Sequence, residues 1–143
     1  EATQLLRGMR TLFLRVRQSS QSALQIAQAL ASHNAISEVL YPGLPDFPGH
    51  EIAAKQMTDG FGGMLSIRLK NGEAAAIATA ANVQLWHRAT SLGGVESLLE
   101  HRGSIEGAGS PVPLDLLRLS TGIEDPQDLI SDLNDALNRA SDI

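Results

Sequence analysis

From Thr3 to about Ser32 the apolar residues Leu5, Leu6, Met9, Leu12, Phe13, Val16, Leu24, Ala27 and Leu30 recur at helical spacing, with Arg7, Arg10, Arg15, Arg17 and several glutamines filling the other side. The pattern predicts one long helix, about 45 Å at 1.5 Å per residue, more than a domain of this size needs for its own core. Ser32, His33 and Asn34 mark its end, and Ile36 to Tyr41 reads as a short strand stopped by Pro42-Gly43. His50 to Met57 reads as a short helix and Gly60-Phe61-Gly62-Gly63 as a turn. From Met64 to Lys70, Met64, Ser66 and Arg68 alternate with Leu65, Ile67 and Leu69, the period of a half-buried strand.

Asn71-Gly72 closes that strand. The alanine-rich run from Glu73 to Asn82 predicts a helix, Val83 to Ala89 a strand, Val95 to His101 a short helix, and Ser104 to Pro113 a loop. Leu116 to Thr121 predicts a further strand. Asp125 then supplies a cap, Pro126 a first-turn proline and Asp128 a first-turn acid for a last helix, whose buried stripe is Leu129, Ile130, Leu133, Ala136, Leu137 and Ala140. Four strands joined by short helices predict an α/β sandwich of the α+β type. Its mainly antiparallel four-stranded sheet carries helices on one face and leaves the other face to cover something else.

Composition narrows the function classes. The 143 residues, 43% of them hydrophobic, suffice for one domain over residues 1–143, with 1–33 as the long helix. Sixteen acidic against eleven basic residues, without a run of one sign, argue against nucleic acid or a membrane surface as partner. The absence of cysteine removes disulfides, thiol nucleophiles and thiolate metal sites. No apolar run approaches the roughly 20 residues that span a bilayer. The N-terminus is amphipathic rather than signal-like, so a cytoplasmic location is expected.

His33, His50, His87 and His101 are 14 or more residues apart, without carboxylates at ligand spacing, which predicts surface or local hydrogen-bonding roles and no metal. Gly60 to Gly63 precedes a strand and lacks a following lysine, unlike a phosphate-binding loop. Gly93-Gly94, ahead of an expected helix, could hold an anion or simply turn the chain. Arg118 alternates with Leu117 and Leu119 and shares a strand face with Leu116 and Ser120. Two readings of it stand side by side: a solvated strand position, the usual fate of a charged residue, or a guanidinium fork for the carboxylate of a small acid.

Ala89-Thr90-Ser91-Leu92-Gly93-Gly94-Val95-Glu96-Ser97-Leu98, followed by Leu117-Arg118-Leu119-Ser120-Thr121-Gly122-Ile123-Glu124-Asp125, resembles the C-terminal part of the pyridoxal-phosphate-dependent transsulfuration enzymes: cystathionine γ-synthase, cystathionine γ-lyase and the homoserine-ester sulfhydrylases. The likeness extends to Arg7-Gly8-Met9-Arg10-Thr11-Leu12, Tyr41-Pro42-Gly43-Leu44 with Pro48-Gly49-His50, and Gly60 to Ser66, covering nearly the whole chain but only about the last third of such an enzyme. It implies the C-terminal domain of a fold-type I enzyme, with the long helix leading from a large cofactor-binding domain in a homo-oligomeric parent. It further implies that Arg118 binds the α-carboxylate of an amino-acid substrate and that Ser91 and the Leu92 backbone line the same pocket, with the segment from Val95 to Leu99 packed behind as a short helix and Glu96 structural. Two departures stand out. Thr90 occupies a position where many relatives carry glutamate, so the choice among synthase, lyase and sulfhydrylase does not carry over, and the loop from Arg102 to Asp115 is short.

A pyridoxal enzyme needs a lysine for the Schiff base, an acid for the pyridine nitrogen and a phosphate cup. The only lysines are Lys55 and Lys70, neither in the family's active-site context. The expectation is therefore a chain with no catalytic residue and no cofactor of its own, pyridoxal 5'-phosphate being held by the parent's large domain. A dimerisation or interaction module would account for the long helix, and a free-standing small-acid binder for Arg118, but neither accounts for both motifs.

Overall fold

The computed structural model describes residues 1–90, 93–107 and 109–141. Eleven elements follow in order: α1 (Ala2–Met9), α2 (Leu12–Leu30), β1 (Ile36–Leu40), α3 (His50–Gln56), β2 (Met64–Leu69), α4 (Gly72–Asn82), β3 (His87–Arg88), β4 (Leu98–His101), α5 (Arg102–Glu106), β5 (Leu116–Ser120) and α6 (Pro126–Ala140). The strands form one sheet in the order β1-β2-β5-β4-β3, antiparallel except for the β3–β4 pair. The sheet thus has five strands among the described residues, where four were expected.

The period of two in β2 and β5 decides which side is buried. Leu65, Ile67, Leu69, Leu117 and Leu119 join one core with Ala23, Ile26 and Leu30 of α2, Ala75, Ala76 and Ala80 of α4, and Leu129, Leu133 and Leu137 of α6. Full burial of such a leucine or isoleucine stabilises by about 1.5–3 kcal/mol, so this layer dominates the fold. Helix α6 starts as expected, the Asp125 side chain accepting from the Gln127 N–H ahead of Pro126.

Four expectations are corrected. The first concerns the long helix, which is interrupted at Arg10 and Thr11, Thr11 having φ −111° and ψ 8°. Glycine and threonine are poor helix formers, and the Arg15 guanidinium donates to the Gly8 carbonyl at 2.8 Å, which satisfies that acceptor outside the helix ladder. Burial begins only at Ser20; Leu5, Leu6, Met9, Phe13 and Leu14 are all more than half exposed, Phe13 by 82%.

The second correction replaces the short helix expected over Val95 to His101 by strand β4, with Leu98 opposite Ser120, Leu99 opposite Leu119, and Glu100 opposite Arg118. Glu, Ser and Leu lose at most a few tenths of a kcal/mol per residue by leaving a helix, whereas hydrogen bonds to a charged group contribute about 1.5–3 kcal/mol each. Such bonds hold the approach to β4. Glu124 accepts from the Ser97 N–H at 2.7 Å and from its hydroxyl at 2.8 Å, and the Ser97 Oγ accepts from the Gly122 N–H at 2.8 Å. A Cβ on Gly122 would fall on the Val95 carbonyl oxygen, so only glycine admits the close approach of the two motifs.

The third concerns Val83 to Ala89, of which only His87 and Arg88 pair as strand β3. Asp132 of α6 accepts from the backbone N–H groups of Gln84, Leu85 and Trp86, which are therefore not free for a ladder. The loop expected from Ser104 onward likewise begins as helix α5, capped by His101.

Candidate functional site

Strand β5 lies at the centre of the sheet, and its alternation sends Leu117 and Leu119 into the core and Arg118 to the face away from the helices. The register places Leu40 of β1 opposite Ser66 of β2, Ser66 opposite Arg118, and Arg118 opposite Glu100. Leu40, Met64, Ser66 and Arg118 border an open cleft of about 130 Å³ on that face. The Arg118 side chain is 19% exposed, so its charge is partly desolvated yet reachable from the cleft.

On its other side Arg118 Nη1 donates to Glu100 Oε1 at 2.5 Å. The same oxygen accepts from Arg102 Nη1 at 2.8 Å, while Glu100 Oε2 accepts from the Thr90 hydroxyl. Arg102 also pairs with Glu106, whose other oxygen accepts from the Ser110 hydroxyl at 2.6 Å. Burial of the Glu100 carboxyl works to raise its pKa; the hydrogen bonds from Thr90, Arg102 and Arg118, with the Arg102 charge, outweigh this and hold it below the ordinary glutamate value. Glu100 is therefore an ionised carboxylate at neutral pH, with a side chain only 5% exposed. Thr90 and Glu100 also border a second cavity of about 260 Å³, walled largely by Ile77, Ala80, Leu99 and Ile105.

Of the three residues singled out for a site, Arg118 is placed as just described, while Ser91 and Leu92 lie outside the described residues. Their flanks are anchored on the Arg118 face: Thr90 on Glu100, and Gly93, at φ 97°, by its N–H on the Ser120 hydroxyl at 3.3 Å. The glycine pair precedes a strand, not a helix, so the helix-terminus anion site considered from sequence has no helix behind it. Gly60 to Gly63, expected as a turn, is an irregular connection with a bend at Gly63, held by Ser20, whose hydroxyl accepts from the N–H groups of Phe61 and Gly62.

Three of the histidines serve local bonding, and His87 is exposed. His101 Nδ1 accepts from the Ser104 N–H, which leaves Nε2 to donate to the Leu114 carbonyl at 2.6 Å; His50 Nδ1 lies 2.7 Å from the Pro42 carbonyl, and His33 accepts from the Ala35 N–H. Among the described residues no group of three His, Asp or Glu side chains could hold a metal ion, and no helix is long and apolar enough to cross a membrane. Lys55 and Lys70 are exposed, on α3 and at the end of β2, and neither borders the Arg118 cleft or the neighbouring cavity. Sequence reasoning missed Glu100, Glu124 and Asp132. For Glu100 the signal was available in Leu99-Glu100-His101, once those residues are read with a period of two.

The profile of the Cys/Met metabolism PLP-dependent enzymes matches residues 1–138. Cystathionine γ-synthase of Mycobacterium tuberculosis is 51% identical over 137 residues, which cover 92% of this chain and 35% of that protein. Cystathionine γ-lyase of Saccharomyces cerevisiae is 42% identical over 145 residues, covering 94% and 37%. The crystal structure of metB from Corynebacterium glutamicum superimposes with a TM-score of 0.89 at 49% identity, covering 93% of this chain and 36% of the other. The chain therefore spans about a third of the length of the relatives it matches. By profile, identity and fold together, it belongs to the Cys/Met metabolism PLP-dependent enzyme family.

Proposed function

We propose that this chain is the substrate-side, C-terminal domain of a fold-type I pyridoxal-phosphate enzyme of sulfur amino-acid metabolism, acting by γ-replacement or γ-elimination on a homoserine ester or cystathionine. The observation that carries this reading is the position of Arg118: mid-strand, on the face the helices leave uncovered, partly desolvated, and bordering an open cleft. A planar guanidinium there can take the α-carboxylate of an amino acid through two parallel hydrogen bonds, fixing position and orientation together. Ser91 and the Leu92 backbone complete the pocket wall in this reading, by resemblance.

The lysine and phosphate site of the cofactor are assigned to the remaining two thirds of the parent. This chain's part is to bind and orient: a substrate fixed through its carboxylate presents its α-hydrogen in one direction, which saves orientational entropy in the reaction. The exposed apolar side of α1 and early α2, with Leu5, Leu6, Met9 and Phe13, is the surface that meets the large domain, consistent with residues 1–33 as the connection. Alone, the chain is expected neither to hold the cofactor covalently nor to catalyse.

In the full-length parent loaded with pyridoxal phosphate, Arg118→Ala should raise KM for the amino-acid substrate by roughly a hundredfold or more, the loss of a charge-assisted bidentate pair, and leave the substrate-free cofactor absorbance unchanged. An unchanged KM would overturn the assignment.

A further inference from the structure

Arg118 is not positioned by its strand alone. Its long side chain carries about 2 kcal/mol of rotamer entropy, and a guanidinium that swings between rotamers cannot present a fixed fork. Glu100 stands directly opposite on β4, nearly fully buried and ionised, and holds Arg118 Nη1 at 2.5 Å. A buried carboxylate survives as a charge only when its oxygens are satisfied, and here both are: one by the two arginines, the other by Thr90. Thr90 comes from the segment that leads into Ser91-Leu92, and Arg102 from the helix that follows β4, itself tied to Glu106. Three pieces of chain therefore converge on one carboxylate, and that carboxylate grips the substrate arginine from the side opposite the cleft residue Ser66.

We infer that Glu100 is a positioning residue, which locks the Arg118 guanidinium in the orientation that receives the substrate carboxylate, with Thr90 and Arg102 fixing Glu100 in turn. The inference rests on the assignment of Arg118 made above. It gives Thr90 a function: its hydroxyl links the pocket wall to the clamp. It also gives the second arginine one. Arg102, itself paired with Glu106, shares the Glu100 oxygen with Arg118, so that the carboxylate is held from a second direction and Arg118 is not its sole cationic partner.

The test uses the full-length parent enzyme with its cofactor and amino-acid substrate, and four forms of it: wild type, Glu100→Gln, Arg118→Ala and the double variant. Glutamine keeps the shape and removes the charge. Glu100→Gln should raise KM about tenfold with kcat within about threefold, the loss of one charge-assisted bond acting on substrate binding. In the Arg118→Ala background the same substitution should change KM less than twofold, because its effect passes through Arg118. Arg102→Gln, which loosens Glu100 without touching Arg118, should raise KM in the same direction by about threefold and guards against a Glu100 variant that folds poorly. An equal effect of Glu100→Gln in both backgrounds, or none in wild type while Arg118→Ala still raises KM, would overturn the positioning role. An Arg118→Ala enzyme with unchanged KM would instead overturn the carboxylate assignment beneath it.

Discussion

Glu100 is where residue-scale physics is most exposed to test. Its ionised form is favoured in the folded state, so its folded pKa lies below the unfolded value, near 4.5. The sign follows directly: the stability it contributes is fully present above that value and is lost as pH falls through the lower folded one. The difference in unfolding free energy between wild type and Glu100→Gln should therefore be constant from neutral pH down to about pH 5 and shrink below it. A difference that stays constant to pH 3 would mean the carboxylate is not held as described. Arg118 was legible in sequence as one member of a strand face, and the resemblance suggested the role we propose for it. Its partner was not, because Glu100 had been read on a helix, where it could not stand across from residue 118. Only the strand register brings the two together, and register depends on pairing between segments 18 residues apart.

Elements divide by where their information lies. β2, β5 and α6 carry strong periods or caps of their own, and each appears within a residue or two of its expected bounds. β4 and β3 do not; their state is set by Glu124 and Asp132, side chains contributed from elsewhere in the chain that claim backbone donors. The long N-terminal helix shows the opposite problem. Its apolar stripe was plain, but a stripe says only that a face is to be buried, not by what. In this chain α1 has no buried residue. Replacing Leu6 and Phe13 by serine should therefore shift the stability of the 143-residue chain by no more than about 0.5 kcal/mol each, whereas in the parent, if the large domain covers them, each should cost about 1.5–3 kcal/mol. Chemical denaturation of both proteins decides between a covered and an uncovered face. A similarly small effect in the parent would remove this surface from the domain contact.

At the scale of the whole molecule, the sheet has one face sealed by three helices and the other organised in a row from Leu40 through Ser66 and Arg118 to Glu100. That asymmetry lets the chain pack a core without drawing on the uncovered face, the one we propose meets the substrate. The expectation of helices on one side was met, and the fifth strand extends the same sheet beyond Glu100 rather than altering its layering.

The most direct measurement compares, in the full-length parent, the binding of its amino-acid substrate with that of the same molecule lacking the carboxylate, in wild type and Arg118→Ala. The account predicts that wild type prefers the acid by roughly a hundredfold, about 2.7 kcal/mol, and that the preference disappears in the variant. A preference that survives the loss of Arg118 would place the carboxylate elsewhere and contradict the account.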